Sequence, residues 1–301
     1  MKKLLLAGVA LAAMTAVSYA ADTYVVGMKG PGAGNPFWAA VEKGAKDKGA
    51  ELGVDVVVVA PPAESDVQAQ ITQIEDLIAQ KVSGIALAPT DPNALAPVVD
   101  AAKAAGIPVV FVDTKGVNEG VTFIGTDNAV GAALAADFMC KNLPQGSEVA
   151  ILQGLISQST GQARAEGSKK GLEACGLKVV AEQTAEWDRA KGQSVMENIL
   201  TGNPNIKGVF ASNDNMALGA VEALKAAAKL QDVMVVGFDA NPDAAASILA
   251  GEMTASVAQA PANIGGFGVQ ALVDLKAGKT IEPVIDTGTV LVTKENADKY
   301  K

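Results

Sequence analysis

The feature that most constrains this fold is a regular alternation of short β-branched runs with Ala-rich, helix-periodic segments. In the first half of the chain, the predicted strands cover residues 24–28, 54–60, 84–88, 108–113 and 121–124. The helical segments between them cover residues 37–52, 66–80 and 92–105. Strand and helix alternation of this kind predicts βαβ units on a parallel sheet, because right-handed crossovers place helices on both of its faces.

The same pattern restarts in the second half of the chain and predicts a second doubly wound sheet. Its strands are predicted at residues 148–152, 177–182, 208–211 and 234–238, and its helices near residues 160–175, 189–201, 215–228 and 242–250. The remaining segments, 254–259, 261–276 and 290–292, are too short for a third domain. We expect them to cross back and complete both sheets.

The predicted fold class is therefore α/β, with two doubly wound parallel-sheet lobes joined by a three-stranded hinge. Residues 21–126 plus 260–286 are assigned to the N-terminal lobe, and residues 127–259 plus 287–301 to the C-terminal lobe. Three parallel crossings, near Thr126, Ala260 and Thr287, would form a hinge that bends without becoming disordered.

The first twenty residues have the pattern of a secretory signal peptide. Two lysines are followed by an apolar run over residues 4–17 and by small residues up to Ala20. We expect cleavage after Ala20 and a periplasmic location for the mature protein. The alternative, a retained membrane anchor, is disfavoured because the run is shorter than the roughly 20 residues that a spanning helix needs.

The composition excludes several classes of function. Without Lys2 and Lys3 the chain keeps 22 basic against 33 acidic residues, a net charge of −11, so nucleic acid and anionic membranes are poor partners. Histidine is absent, which removes Ser/His triads, Cys/His nucleophile pairs and His-based zinc sites. We predict neither a metal site nor a cofactor.

Cys140 and Cys175 are the only cysteines. An oxidising compartment favours a structural disulfide between them, at the ends of two helices in the C-terminal lobe and away from the cleft. The alternative is a pair of buried free thiols.

Ligands of open parallel sheets bind outside the carboxyl ends of the strands. The side chains that follow the predicted strands are directed hydrogen-bonding groups, suited to vicinal hydroxyls, and aromatic rings, suited to the apolar face of a sugar ring. The predicted ligand-binding residues are Lys29, Asn35, Phe37, Trp38, Asp113, Thr114, Arg164, Trp187, Asn213, Asp239 and Gln259.

Each of these positions also has an ordinary structural explanation. Asn35 and Asp113 suit helix caps or turns, and the aromatic residues suit a core. Arg164, Lys29 and Lys115 suit a solvated surface, while Asp188 and Asp214 suit N-caps. The hypothesis of a binding site therefore depends on the convergence of these residues.

The Gly-rich run at residues 30–34 raises the possibility of a nucleotide-binding turn. Its spacing is G-P-G-A-G, not G-x-G-x-x-G, and the second predicted strand ends in Ala60, Pro61 and Pro62 without a ribose-binding acid. Dinucleotide binding is therefore disfavoured.

Five motifs in order resemble the ribose/allose type of periplasmic sugar-binding protein. They are NPFW at residues 35–38, RAEG at 164–167, AEWDR at 185–189, NDNMALG at 213–219 and VVGFD at 235–239. The resemblance implies contacts at nine of the predicted positions and departs from the ribose type at Thr114 and Lys29. Thr114 stands where ribose-type members carry Arg. Lys29 follows the first strand, as a Lys does in allose-type relatives.

The resemblance implies the substrate-binding subunit of an ABC transporter, with a membrane permease as partner. We expect a monomer that captures a monosaccharide or sugar alcohol by hinge closure. One alternative is a receptor subunit that presents its ligand to a chemoreceptor or sensor kinase. Another is an exported glycosidase using Asp113 and Asp239, although Arg164 and Lys29 are expected to keep both carboxylates ionised.

Overall fold

A computed structural model of the protein describes residues 22–301. The predicted signal peptide, residues 1–20, lies outside the described residues. The described chain forms two six-stranded sheets, each covered by helices, which confirms the predicted two-lobed α/β fold. Within residues 22–301, no helix is both long enough and apolar enough to cross a membrane.

Strands and helices alternate along both halves of the chain. The strands are β1 (Thr23–Gly27), β2 (Asp55–Val59), β3 (Gly84–Leu87), β4 (Val109–Val112), β5 (Phe123–Gly125), β6 (Glu148–Gln153), β7 (Lys178–Thr184), β8 (Gly208–Ala211), β9 (Met234–Asp239), β10 (Ala255–Ala258), β11 (Val284–Asp286) and β12 (Val290–Val292). The helices are α1 (Pro36–Leu52), α2 (Val67–Gln80), α3 (Ala96–Ala104), α4 (Asn128–Asn142), α5 (Ser159–Ala174), α6 (Arg189–Gly202), α7 (Asp214–Ala226), α8 (Pro242–Ala250) and α9 (Pro261–Lys276).

The two sheets have the same spatial order of equivalent strands. The N-terminal sheet runs β11-β5-β4-β3-β1-β2 and the C-terminal sheet β12-β10-β9-β8-β6-β7. Every pairing is parallel except β10 with β12, because the chain leaves the first sheet at its carboxyl edge after β11, crosses through residues 287–289 and enters the second sheet at its carboxyl edge. In both lobes, the strand order reverses beside the first strand, at the switch point where ligands bind in such sheets.

Each lobe has two apolar cores, one on either face of its sheet. In the N-terminal lobe, α1 and α9 cover one face, and α2 and α3 cover the other. In the C-terminal lobe, α6, α7 and α8 cover one face, and α4 and α5 cover the other. Strands buried on both faces explain the continuous apolar runs of the sequence.

Helix α9 returns to the N-terminal lobe by packing closely on α1. Gly44 and Gly265 lie at this contact, where a side chain at either position would collide with the backbone of the other helix. The small residues therefore allow the chain to leave the C-terminal sheet after β10 and still complete the core of the first lobe.

Three chain crossings join the lobes, between β5 and α4, between β10 and α9, and between β11 and β12. Two of them lie side by side, since the backbone N–H of Thr287 donates to the carbonyl oxygen of Gly125 at 3.0 Å. These crossings lie where the sequence predicted the hinge. The residue-level lobe boundaries given above stay a prediction.

A disulfide joins Cys140, near the end of α4, to Cys175, directly after α5. The alternative of two free thiols is therefore wrong. Helix α5 begins at the cleft, and its 16 residues extend roughly 24 Å, so the disulfide lies far from the inter-lobe space.

Helix α3 begins four residues later than the sequence predicted. The carboxylate of Asp91 accepts hydrogen bonds from the backbone N–H groups of Asn93 and Ala94, both at 2.9 Å. This local turn competes with helix formation, so the helix starts at Ala96.

Candidate functional site

The carboxyl ends of the two sheets face each other across a cavity with about 300 Å³ of empty space, part of which is open to solvent. Both lobes contribute to its wall, and most of the side chains in the wall are polar or aromatic. The lining residues are Lys29, Asn35, Phe37, Trp38, Glu64, Asp113, Thr160, Arg164, Trp187, Asn213, Asp239 and Gln259. Ten of the eleven predicted ligand-binding residues are brought together here.

Thr114 is the exception among the predicted positions. It is fully buried, and its hydroxyl donates to Asp113 Oδ2 at 2.6 Å. The backbone at Asp113 is left-handed, with φ of 58°, which turns its carboxylate toward the cavity and places the next side chain behind it. Thr114 therefore orients Asp113 and does not line the cavity.

Lys29 is buried, not solvated, so its interpretation as a surface side chain is wrong. Its Nζ lies 3.2 Å from Asp113 Oδ2 and 3.6 Å from Glu64 Oε2. Across the cleft, the same ammonium donates to Gln158 Oε1 at 2.8 Å and to Thr160 Oγ1 at 3.4 Å. Lys29 thus joins the two lobes directly. Lys115, in contrast, is exposed.

The start of α1 supplies the aromatic part of the N-terminal half. Asn35 caps the helix, accepting from the backbone N–H of Phe37 at 3.1 Å, and Pro36 occupies the first turn. Phe37 and Trp38 form an edge-to-face pair with centroids 5.0 Å apart. Trp38 Nε1 donates to Glu64 Oε1 at 2.8 Å. The residues at the start of α1 therefore cap the helix, pack in the core and line the cavity.

Arg164 anchors the C-terminal half of the site. Its Nε donates to Asn128 Oδ1 at 2.7 Å, and its Nη1 donates to the carbonyl oxygen of Ser212 at 2.8 Å. The guanidinium stacks 3.8 Å from the ring centroid of Phe238 and lies 3.5 Å from Asp239 Oδ1. Burial lowers the pKa of Arg164, although Asp239 opposes that change.

Asp239 ends β9 in a left-handed conformation, with φ of 113°, and accepts from Gln259 Nε2 at 2.6 Å. Burial raises the pKa of Asp239 to about 7, because desolvation outweighs the opposing effects of Arg164 and the hydrogen bond from Gln259. Arg164 thus lowers the pKa of this carboxylate, as the sequence predicts for a neighbouring cation, but desolvation has the larger effect.

A second buried carboxylate, Asp214, lies behind Asp239. The structure corrects its interpretation as an N-cap, since Asn213 caps α7 by accepting from the backbone N–H of Met216. Asp214 instead accepts from the Ser256 hydroxyl at 2.6 Å and from the backbone N–H of Asn241 at 2.7 Å. Burial, followed by repulsion from Asp239, raises the pKa of Asp214 well above its usual range. The N-cap assignment of Asp188 is confirmed.

Trp187 forms the aromatic wall of the C-terminal half. Its backbone is left-handed, with φ of 66°, and its carbonyl oxygen accepts from Asn213 Nδ2 at 3.2 Å. The indole packs against the backbone of Gly154, where any side chain would collide with the ring. Its Nε1 donates to Gln158 Oε1 at 3.0 Å.

Residues 26–280 match the family described as periplasmic binding protein domain. The chain belongs to this family. It is 40% identical over 276 residues to the D-allose-binding periplasmic protein of Escherichia coli, covering 88% of each chain. It is 37% identical over 273 residues to the ribose import binding protein RbsB of Bacillus subtilis, covering 90% of this chain and 88% of the relative.

Solved structures show the same periplasmic binding protein architecture. The Caulobacter myo-inositol binding protein bound to myo-inositol superposes with a TM-score of 0.86 at 32% identity, covering 92% of this chain and 95% of the other. An ABC transporter solute-binding protein of Actinobacillus succinogenes with bound D-allose gives a TM-score of 0.87 at 29% identity, covering 92% and 99%.

Sequence reasoning missed two lining residues of this periplasmic binding protein, Glu64 and Thr160. Glu64 lies five residues beyond the end of β2, past two prolines, so a search confined to the residues immediately after each strand does not reach it. Thr160 lies in the first turn of α5, one turn before Arg164. A search that included the complete loops and first helical turns would have found both.

Proposed function

We propose that this protein is the substrate-binding component of an ABC transporter and binds a monosaccharide or a sugar alcohol. The observation that carries the proposal is the cavity between the lobes, to which each lobe contributes a carboxylate, a cation, an Asn side chain and aromatic surface. The names of the relatives, a D-allose-binding protein and a ribose import binding protein, support a sugar as ligand and a membrane permease as partner.

The ligand is held from opposite sides. Asn35 and Asp113 in the N-terminal lobe, and Arg164, Asn213 and Asp239 in the C-terminal lobe, offer directed donors and acceptors to ring hydroxyls. The aromatic side chains pack on the apolar face of the sugar. Because each lobe alone provides only some of these contacts, the ligand favours the closed state.

The proposed ligand class includes pentoses, hexoses and cyclic polyols. Lys29 occupies one corner of the cavity and supplies a donor beside Asp113. Thr114, which stands where ribose-type members carry Arg, faces away from the cavity, so this position adds no second cation to the cavity wall. D-allose is accordingly the first compound to test, with D-ribose and myo-inositol as alternatives.

A thermal-shift screen with these three compounds tests the proposal. A sugar at 100 times its Kd stabilises the folded protein by about 2.7 kcal/mol, which gives a clear rise in Tm. Arg164→Ala and Asp239→Ala should abolish the rise. Lys169→Ala should keep it, because Lys169 is a half-exposed cation on the same helix as Arg164 and lies outside the cavity. Retained binding in both cavity variants would refute the proposed site.

The proposal further includes the absence of catalysis on the bound sugar, export with cleavage after Ala20, and a monomeric state. Asp239 has a raised pKa, as a glycosidase acid would require, but its carboxylate is engaged by Arg164 and Gln259 inside its own lobe. Incubation with allosides and ribosides should release no free sugar. N-terminal sequencing of secreted protein should begin at Ala21, and light scattering should give the mass of one chain.

Presentation of the bound sugar to a chemoreceptor or sensor kinase is the alternative use of the same site. Loss of uptake on deletion of the gene, with chemotaxis unchanged, would support the transport role alone.

A further inference from the structure

Gln158 lies at the centre of the contact between the lobes, although it does not line the cavity. It is the residue before α5 and is completely buried. Its position joins the two sides of the cleft, since its side chain contacts Lys29 and Glu64 of the N-terminal lobe and Trp187 of the C-terminal lobe.

The carboxamide oxygen of Gln158 accepts two hydrogen bonds at once. One comes from Lys29 Nζ at 2.8 Å and the other from Trp187 Nε1 at 3.0 Å. An ammonium and an indole N–H are donors only, so the oxygen and not the amide nitrogen must face them. The nitrogen then lies toward the carbonyl oxygen of Glu64, at 3.5 Å. All polar atoms of the side chain are thereby used between the lobes.

A local role does not explain this residue. Gln158 occupies the N-cap position of α5, where Ser, Thr, Asp or Asn would accept from the first helical N–H groups. Its side chain makes no such capping bond. The side chain is therefore directed entirely to tertiary contacts.

The two donors to Gln158, Lys29 and Trp187, are a cation and an aromatic residue of the cavity wall. Lys29 Nζ lies 5.4 Å from the ring centroid of Trp187 and 3.2 Å from Asp113 Oδ2. Separation of the lobes would break the bond between Lys29 and Gln158 but would leave the bond between Gln158 and Trp187, because the latter two share a lobe.

We propose that Gln158 is a positioning residue that holds Lys29 against Trp187 only in the closed form and thereby slows release of the bound sugar. This inference rests on the proposed sugar-binding function. It predicts a specific kinetic signature: the encounter of sugar with the open protein does not involve Gln158, whereas opening of the closed complex must break its bond to Lys29.

The test is Gln158→Met, which keeps the length of the side chain and removes the acceptor. Sugar affinity is measured by calorimetry with D-allose, D-ribose and myo-inositol, and the two rate constants by stopped-flow tryptophan fluorescence with the tightest of the three. A hydrogen bond to a charged group contributes enough that its loss should accelerate dissociation roughly 10- to 100-fold. The association rate should stay within about twofold, since encounter precedes closure.

Ser157→Ala is the matched control, because Ser157 is the preceding residue of the same loop and is exposed. It should leave both rate constants unchanged. Circular dichroism of the sugar-free variants should show wild-type melting, and Gln158→Ala serves as the second variant if the Met variant does not fold.

Three outcomes are separable. If the wild-type protein binds none of the three compounds, the proposed function fails. If the wild-type protein binds and Gln158→Met dissociates at the wild-type rate, the role of Gln158 is refuted. If association slows as much as dissociation accelerates, or if sugar-free melting drops in parallel, Gln158 is only a structural residue of the loop.

Discussion

The two lobes have equivalent strand orders, yet they hold their site carboxylates in different ways. Asp239 is engaged by Arg164, whose other hydrogen bonds, to Asn128 and Ser212, lie within the C-terminal lobe. Asp113 is engaged by Lys29, whose remaining hydrogen bonds cross to the opposite lobe. The C-terminal half of the site is therefore prebuilt, whereas the N-terminal half is completed by closure.

This difference matters for affinity. Side chains that are already held in place lose little conformational entropy when the ligand binds, because that entropy was lost when the lobe folded. A half that forms across the cleft contributes only in the closed state and so links ligand retention to lobe closure. Substitutions in the two halves should accordingly affect different measurements.

The largest expected effect on the free energy of unfolding follows removal of Arg164, one of the two buried cations of the site. Arg164→Met leaves Asp239 and two acceptors without their donor and should lower the free energy of unfolding of the sugar-free protein by about 3–5 kcal/mol. Lys29→Met should cost less than about 1 kcal/mol, because Lys29 and its carboxylate partners gain water when the lobes open. Urea unfolding without sugar measures both. Equal losses would contradict the distinction between the two halves.

The disulfide should act on the C-terminal lobe alone. Cys140→Ala combined with Cys175→Ala opens a loop whose ends are 35 residues apart and should lower the free energy of unfolding by roughly 2–4 kcal/mol. Affinity for the tightest-binding of the three screened compounds should stay within twofold, because the bridge lies at the far end of α5. A large loss of affinity with intact folding would show that the bridge shapes the cavity.

The pH dependence of stability should also come from the C-terminal half. The pKa of Asp239 is raised from 3.8 to about 7, so the folded state holds a proton that the unfolded state has released between these values. The free energy of unfolding should therefore fall as pH rises from about 4 to 7, and Asp214 should contribute in the same direction.

Asp239→Asn should reduce this slope, whereas Asp113→Asn should keep most of it. Urea unfolding at intervals from pH 4.5 to 7.5 provides the measurement. A wild-type stability that increases across this interval would contradict the raised pKa of Asp239.

The smallest expected effect concerns the two tryptophans. Trp38 Nε1 is bonded to Glu64 within its own lobe, so this hydrogen bond does not depend on closure. Trp187 meets Lys29 across the cleft, at 5.4 Å from ring centroid to Nζ. The change in intrinsic fluorescence on binding of the tightest-binding screened compound should therefore be retained more fully in Trp38→Phe than in Trp187→Phe. A larger loss of the fluorescence change in Trp38→Phe than in Trp187→Phe would mean that the environment of Trp38, in the N-terminal half, changes more on binding.

Much of this architecture follows from the sequence alone. The alternation of apolar runs and helical segments predicts two parallel sheets, because strands covered on both faces must be apolar throughout. The carboxyl ends of parallel strands meet at one edge, so Asp113, Asp239, Trp187 and Asn213 were predicted to converge without knowledge of their distances. The hinge was predicted because no low-complexity linker separates the two halves and the short remaining segments must cross back between the lobes.

Other properties arise from long-range packing and could not be predicted from local patterns. The burial of Lys29, the contribution of Glu64 and the bridging role of Gln158 depend on contacts between segments that are far apart in the chain. The raised pKa of Asp239 depends on desolvation, which no local pattern encodes. Hydrophobic periodicity and chain connectivity are local properties, so the amino-acid sequence is enough to predict which elements form and where their ends meet. Which of those ends share a cavity depends on how the two lobes face each other. Side chains become buried and charges become paired only where surfaces that are distant in the sequence come into contact and exclude water.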